Sequence, residues 1–194
     1  MKKRATLIGS MLVLTALITP GSAKIKAVTL EEMIDLTENT VYGEIVAKRC
    51  FRVDDPVAGP ELYYTTITIE GRSMRDGRKL TVDLTYPGGF VNEHEGVYNS
   101  EAPSEDDSRI GARVVAFYRW SPDMGGRVPA NMLMGSHGGI FRTVDGPQGR
   151  TVLGRGKGYA VPYNTRLDSL EAGVRNIVEQ RLQQQGLPQQ KGPK

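Results

Sequence analysis

The sequence predicts an α+β chain that is mostly β: a small closed or partly closed antiparallel barrel, preceded by a short amino-terminal helix and followed by an amphipathic carboxy-terminal helix. Three observations lead there. Short alternating or β-branched runs recur between turn residues from about position 41 to 153. A helix-start signature stands before them, and after Asp168 the apolar period lengthens from two to that of a helix. Helix, five or more short strands, then helix is the order of an α+β domain, and the strand spacing fits a small barrel.

The first element opens at Thr29, with Glu32 three residues on, so that each side chain can satisfy the other's orphan amide in a capping box. Leu30, Met33, Ile34 and Leu36 supply an apolar side, and 38–40 end the pattern. A strand is expected over 41–53, where Val41, Gly43, Ile45 and Ala47 alternate with Tyr42, Glu44, Val46 and Lys48, the period of a strand with one face buried. The segment 54–60 is rich in turn residues. The run LYYTTITIE at 62–70 is dense in aromatic and β-branched residues and is the strongest β segment. Asp76 and Gly77 read as a turn into a third strand, where Leu80, Val82, Leu84 and Tyr86 alternate with polar residues until Pro87, Gly88 and Gly89 stop it. Residues 90–109 show no period and read as a long acidic surface loop. RVVAFYRW at 113–120 is a fourth strand, and shorter ones follow at 131–134, 140–144 and 151–153, the last two forming a hairpin around Asp145 and Gly146. From Asp168, Leu170, Val174, Ile177, Val178 and Leu182 form one apolar stripe, with Asp168 or Ser169 as the cap and Gly186 as the stop.

The organisation expected is an export signal at 1–23, a single domain at 24–186 and a disordered tail at 187–194. Lys2, Lys3 and Arg4 precede an apolar run at 5–18 that is shorter than the ~20 residues of a spanning helix, and Gly21 and Ala23 suit cleavage before Lys24. The predicted location is therefore periplasmic or secreted, with no membrane association after cleavage. Of 25 basic residues three belong to that signal, leaving 22 against 22 acidic, so no basic face for nucleic acid is expected. Cys50 is the one cysteine, so an internal disulfide is excluded, and it reads as a half-buried strand residue.

Several segments together, TLEEMIDLTENTVYGEIV, YTTITIEG, the Pro-Gly-Gly after the third strand, GARVVAFYRW and MGSHGGIFRTV, resemble a group of exported bacterial proteins of uncharacterised function with OB-like barrels. The resemblance covers 28–144. It departs from the group after Ile69, where Glu70, Gly71, Arg72 and Ser73 stand in place of a Leu-Lys-Gly turn. More distantly the order is similar to the netrin-like barrels of tissue inhibitors of metalloproteinases. Those present an amino-terminal cysteine to zinc, whereas this mature chain would begin at Lys24, so the resemblance does not carry that mechanism.

Signatures of catalysis are sparse. Gly149 and Gly154 have the spacing of a phosphate-binding loop, but Arg155 and Gly156 stand where Lys and Ser or Thr are needed. The glycine-rich 154–158 run reads instead as a flexible connection to the last helix. Gly135, Ser136, His137, Gly138 and Gly139 lack the spacing of a nucleophile elbow and read as a bend. His94 and His137 are the only histidines and neither has a zinc-ligand spacing. The carboxylates of 93–107 could offer calcium oxygen ligands, yet they lack the alternation and glycine of a calcium loop, and a solvated acidic loop is expected. Basic groups at Arg72, Arg75, Arg78 and Lys79, and at Arg142, Arg150, Arg155 and Lys157, could meet those acids across the fold. The expectation is a non-catalytic binding module of the cell envelope or extracellular space, without cofactor, whose partner is a protein or, second, a glycan. The alternative is a secreted hydrolase using Ser136 and His137 with a carboxylate from elsewhere.

Overall fold

The capping box forms as read: the Thr29 hydroxyl accepts from the Glu32 amide at 3.1 Å and the Glu32 carboxylate accepts from the Thr29 amide at 2.9 Å. The helix it starts, α1 (Leu30–Leu36), buries Met33 and Ile34, while Leu36 points outward, 49% exposed. In this computed structural model residues 27–54 and 61–186 are described; the expected export signal, most of the 54–60 turn and the tail 187–194 lie outside the described residues.

After α1 come β1 (Asn39–Val53), β2 (Leu62–Ser73), β3 (Lys79–Pro87), β4 (Gly89–Asn92), β5 (Glu95–Val97), the short α2 (Glu105–Ser108), β6 (Arg113–Ser121), β7 (Ala130–Leu133), β8 (Ile140–Gly146), β9 (Gly149–Val152), β10 (Thr165–Arg166) and α3 (Leu167–Gln184). Five strands close a barrel in the order β1, β2, β3, β7, β6 and back to β1, the Greek-key arrangement of an OB-like barrel. The antiparallel order expected from the sequence breaks at one seam, where β3 and β7 pair in parallel at Thr85 and Met132. The reason is parity: an odd number of strands around a closed ring cannot alternate direction at every seam.

Gly43 and Gly71 sit opposite each other on β1 and β2, where the two backbones come close. A Cβ on Gly71 would lie 2.1 Å from the Tyr42 carbonyl oxygen, and one on Gly43 2.3 Å from that of Glu70. Only the absence of side chains lets the backbones come so close. Just beyond, the register slips between Ile45 and Ala47, leaving Val46 as the extra residue of a bulge. One face, that of Val41, Gly43 and Ile45, is buried, but the bulge inverts the alternation and turns Ala47 outward.

Two hydrophobic cores result. Inside the barrel lie Val41, Ile45, Ile67, Ile69, Leu84, Val114, Ala116, Leu133 and Ile140. Outside it, α1, α3 and the 154–163 segment cover Met74, Val115, Phe117, Phe141 and Val152. Leu170 and Val174 of α3 are buried there, Ile177 and Val178 pack at its edge, and Leu182 lies beyond the cluster. This helix starts directly from β10 with Arg166 at the N-cap and no side-chain cap, so neither Asp168 nor Ser169 caps it. Arg72 of β2 and Arg175 both bond Glu171, and Arg181 joins Asp35 at 2.8 Å, tying α3 to the barrel and to α1.

Other expectations are corrected by contacts between remote residues. The 90–109 stretch is not featureless loop: it holds the β4–β5 hairpin and α2, elements too short to show a period. The β8–β9 hairpin turns at Pro147 and Gln148, because Gly146 pairs with Gly149, not around Asp145 and Gly146. The glycine-rich 154–158 run belongs to an ordered loop in which the Gly154 amide bonds the Asn164 side chain and the Arg155 and Gly156 amides bond the carbonyls of Val161 and Pro162.

Candidate functional site

The bulge in β1 positions the main concavity. Past Val46, Lys48 and Cys50 face one end of the barrel, and Cys50 pairs with Thr65, which pairs with Tyr86, making one row across three strands. This row lines a cleft of about 650 Å³ at the barrel mouth. One wall is Gly89, Phe90, Val97 and Tyr98, from the β4–β5 hairpin and the residue just after it. The other is 102–105 with His137 and Arg155. Gly89, at φ 128°, has to be glycine here, since a Cβ would sit 2.1 Å from the Thr65 hydroxyl and 3.0 Å from Cys50 Sγ.

Polar groups of the floor are held by the fold itself. Lys48 Nζ donates to Glu105 Oε2 at 2.7 Å and to Ser108 Oγ at 3.2 Å, and the Thr65 hydroxyl donates to the Gly88 carbonyl at 2.7 Å. Burial pushes the Tyr86 hydroxyl above the ordinary tyrosine range, against the opposing pull of Ser108, Lys48 and Thr65. By contrast the hairpin wall is apolar and open: Phe90 is 57% exposed and Tyr98 80%, with Val91 and Val97 beside them. Of these, Phe90, Val97 and Tyr98 line the cleft, and Val91 follows Phe90 in the chain.

His137, expected to lie in a bend, follows Gly135 (φ 60°) in a 3-10 turn, Ser136–Gly139. Its Nδ1 donates to the Glu101 main-chain carbonyl at 3.0 Å, which fixes the tautomer, and Nε2 lies 3.1 Å from the Tyr159 hydroxyl, from which it accepts in the neutral ring. Among the described residues neither ring nitrogen bonds a carboxylate. The residue joins the 98–104 segment to the 154–163 loop, while the Ser136 side chain lies outside the described ones. His94 stands elsewhere, on the exposed tip of the β4–β5 hairpin.

The acidic loop meets one of the two basic groups expected to face it. Asp107 bonds Arg155 at 2.7 Å and the Ser104 hydroxyl at 2.6 Å, and Asp106 bonds Arg142 at 3.1 Å. Arg155 also donates to the Ile140 carbonyl at 3.0 Å and lies over the Phe141 ring. The other basic group is used differently: Arg75 caps α1 by donating to the Thr37 carbonyl at 2.8 Å, and Arg78 pairs with Asp76. Among the described residues no three acidic, histidine or cysteine side chains cluster as metal ligands. Because Asp107 and Arg155 are both largely covered, Arg155→Met is expected to lower stability by about 1–3 kcal/mol by leaving a carboxylate short of its partner. Urea unfolding measures it, and the double variant Arg155→Met with Asp107→Asn should recover part of the loss.

Comparison of the chain with protein-family models, with curated proteins and with solved structures returns no match. The mouth residues gave no signal in the sequence, because a bulge, a hairpin of seven strand residues and a loop glycine come together only through the closed barrel.

Proposed function

We propose that this chain is an exported, non-catalytic binding module that presents the mouth of its barrel to an envelope or secreted protein. The observation that carries the reading is the 650 Å³ cleft whose outer wall is the open apolar group of Phe90, Val97 and Tyr98. The cleft has a polar floor already satisfied by internal bonds and an apolar wall without cover, which suits an apolar side chain of a partner seated between them. Export rests on the amino-terminal pattern of basic residues, apolar run and small residues.

A photoreactive residue placed at Tyr98 tests the proposal in cells making the protein. One discrete protein adduct is expected, lost when Phe90 and Val97 are replaced by Ala and absent when the probe is moved to Tyr163, which is exposed on another surface. The exported material should begin at Lys24 by mass. Adducts spread over many proteins, or unchanged by the alanine variants, would overturn the reading.

A further inference from the structure

A second concavity lies on the outer wall of the barrel and shares Arg49 with the edge of the mouth cleft. Its floor is formed by Thr66 and Thr85, whose hydroxyls bond each other at 2.9 Å. Arg49 and Phe51 of β1 border one side, Trp120 of β6 and Asn131 of β7 the other, with Asp83 of β3 between them. Its volume is about 220 Å³, below the ~300–1,000 Å³ of pockets for drug-sized molecules, which leaves room for a single ring-sized unit.

The chemistry of the lining is specific. Trp120 is 51% exposed, an apolar platform with no aromatic partner among the described residues. Asp83 accepts from Thr68 at 2.6 Å, and among the described residues it makes no ion pair; nor does Arg49, which lies only over the Phe51 ring. A carboxylate and a guanidinium thus border one small groove without pairing to each other, and the Asn131 amide stands beside them, bonded to the Asp83 carbonyl. The loop that supplies Val128 and Pro129 to the rim is held in a costly shape. Gly125, Gly126 and Arg127 all have positive φ, Arg127 at 62°, and the Tyr64 hydroxyl fixes the loop through the Met124 carbonyl at 2.7 Å. Such strain in a non-glycine residue persists where the surroundings impose it, and it gathers at ligand sites.

We propose that this groove is a glycan subsite that takes one pyranose unit. The apolar C–H face of a sugar ring stacks on an indole, and its neighbouring hydroxyls both donate and accept, which matches Asp83, Asn131 and Arg49 together. An extended peptide has no edge to pair with here, because the groove lies on the face of strands already bonded to their neighbours. A nucleic acid strand would bring phosphates to a carboxylate and finds no basic track along this groove.

Trp120 is the only tryptophan of the chain, so its fluorescence reports the groove directly. Titration of the protein with short oligosaccharides of glucose, N-acetylglucosamine and galactose is expected to give a saturable change with at least one of them, in the millimolar range for a single ring held by few contacts. Arg49→Ala and Asp83→Ala should each weaken it at least about tenfold, and Tyr163→Ala should leave it unaltered. Trp120→Ala, followed by saturation-transfer NMR on the sugar, should abolish binding while thermal melting stays that of the parent. Competition by the free oligosaccharide against insoluble polysaccharide and against a glycoprotein then distinguishes which carries the ring. No saturable response to any of the sugars, a response that survives the Arg49 and Asp83 replacements together, or a stronger one to a single-stranded oligonucleotide would each overturn the proposal. The mouth reading stands or falls separately, on Tyr98.

Discussion

A chain that stops at Arg166 is expected not to fold cooperatively. Without α3, the outer core loses the cover given by Leu167, Leu170 and Val174 and leaves Phe117, Phe141 and Val152 facing water on that side. Each such side chain contributes ~1.5–3 kcal/mol when buried, whereas a whole domain is stable by only ~5–15 kcal/mol. The helix alone would not compensate, since an isolated segment of this length is marginal in water and depends on its packed face. The point variant separates packing from chain length. Val174, fully buried, is expected to lower stability by about 1–3 kcal/mol when changed to Ala and to prevent folding when changed to Asp, which forces a charge into the contact. Thermal melting by circular dichroism decides it: a chain ending at Arg166 that melts like the longer one would mean that the barrel stands without its outer core.

Gly71→Val is expected to be at least as damaging although it removes nothing. The added Cβ would meet the Tyr42 carbonyl oxygen at 2.1 Å and the Gly43 Cα at 2.5 Å, both backbone atoms that no rotamer change can move aside. The two strands would have to separate at this pair, where β1 is also paired with β6 on its other side. A loss of at least about 3 kcal/mol is expected even for Gly71→Ala, in the range of overpacking and backbone clashes. Gly149→Ala is the contrast: its φ of 103° disfavours a side chain but nothing lies within 4 Å, so about 1 kcal/mol is expected. Comparable losses at the two positions, measured by urea unfolding, would show that backbone conformation and not close approach governs both.

The parts legible in the sequence are those written in neighbouring residues. Thr29 and Glu32 bond each other within one turn, the 62–70 run has no other way to bury its aromatic and β-branched side chains than as a strand, and the stripe from Leu170 to Val178 needs only a helix to align it. Even there the boundaries moved where distant contacts outweighed local preference: α3 grows out of the β9–β10 pairing, so Arg166 occupies the cap position that Asp168 could have filled.

What only the tertiary structure decided is where chemistry-bearing residues meet. Alternation in β1 groups Ala47 with Val41, Gly43 and Ile45 and gives no reason to place Lys48 and Cys50 at a mouth; the bulge at Val46 turns Ala47 outward and Lys48 and Cys50 to the mouth, and a bulge is fixed by the partner strand, not by the residues that carry it. Parity of a five-stranded ring sets β7 parallel to β3 and so brings Asn131 and Trp120 beside Asp83 and Arg49, residues up to 82 positions apart in the chain. The charges of Asp107 and Arg155 likewise became partners because α2 packs on β8, a contact with no trace in local pattern. Elements follow from short-range sterics and periodic burial, which a sequence displays residue by residue. Sites follow from closure of the sheet, whose strand count, register and seams are properties of the whole chain at once.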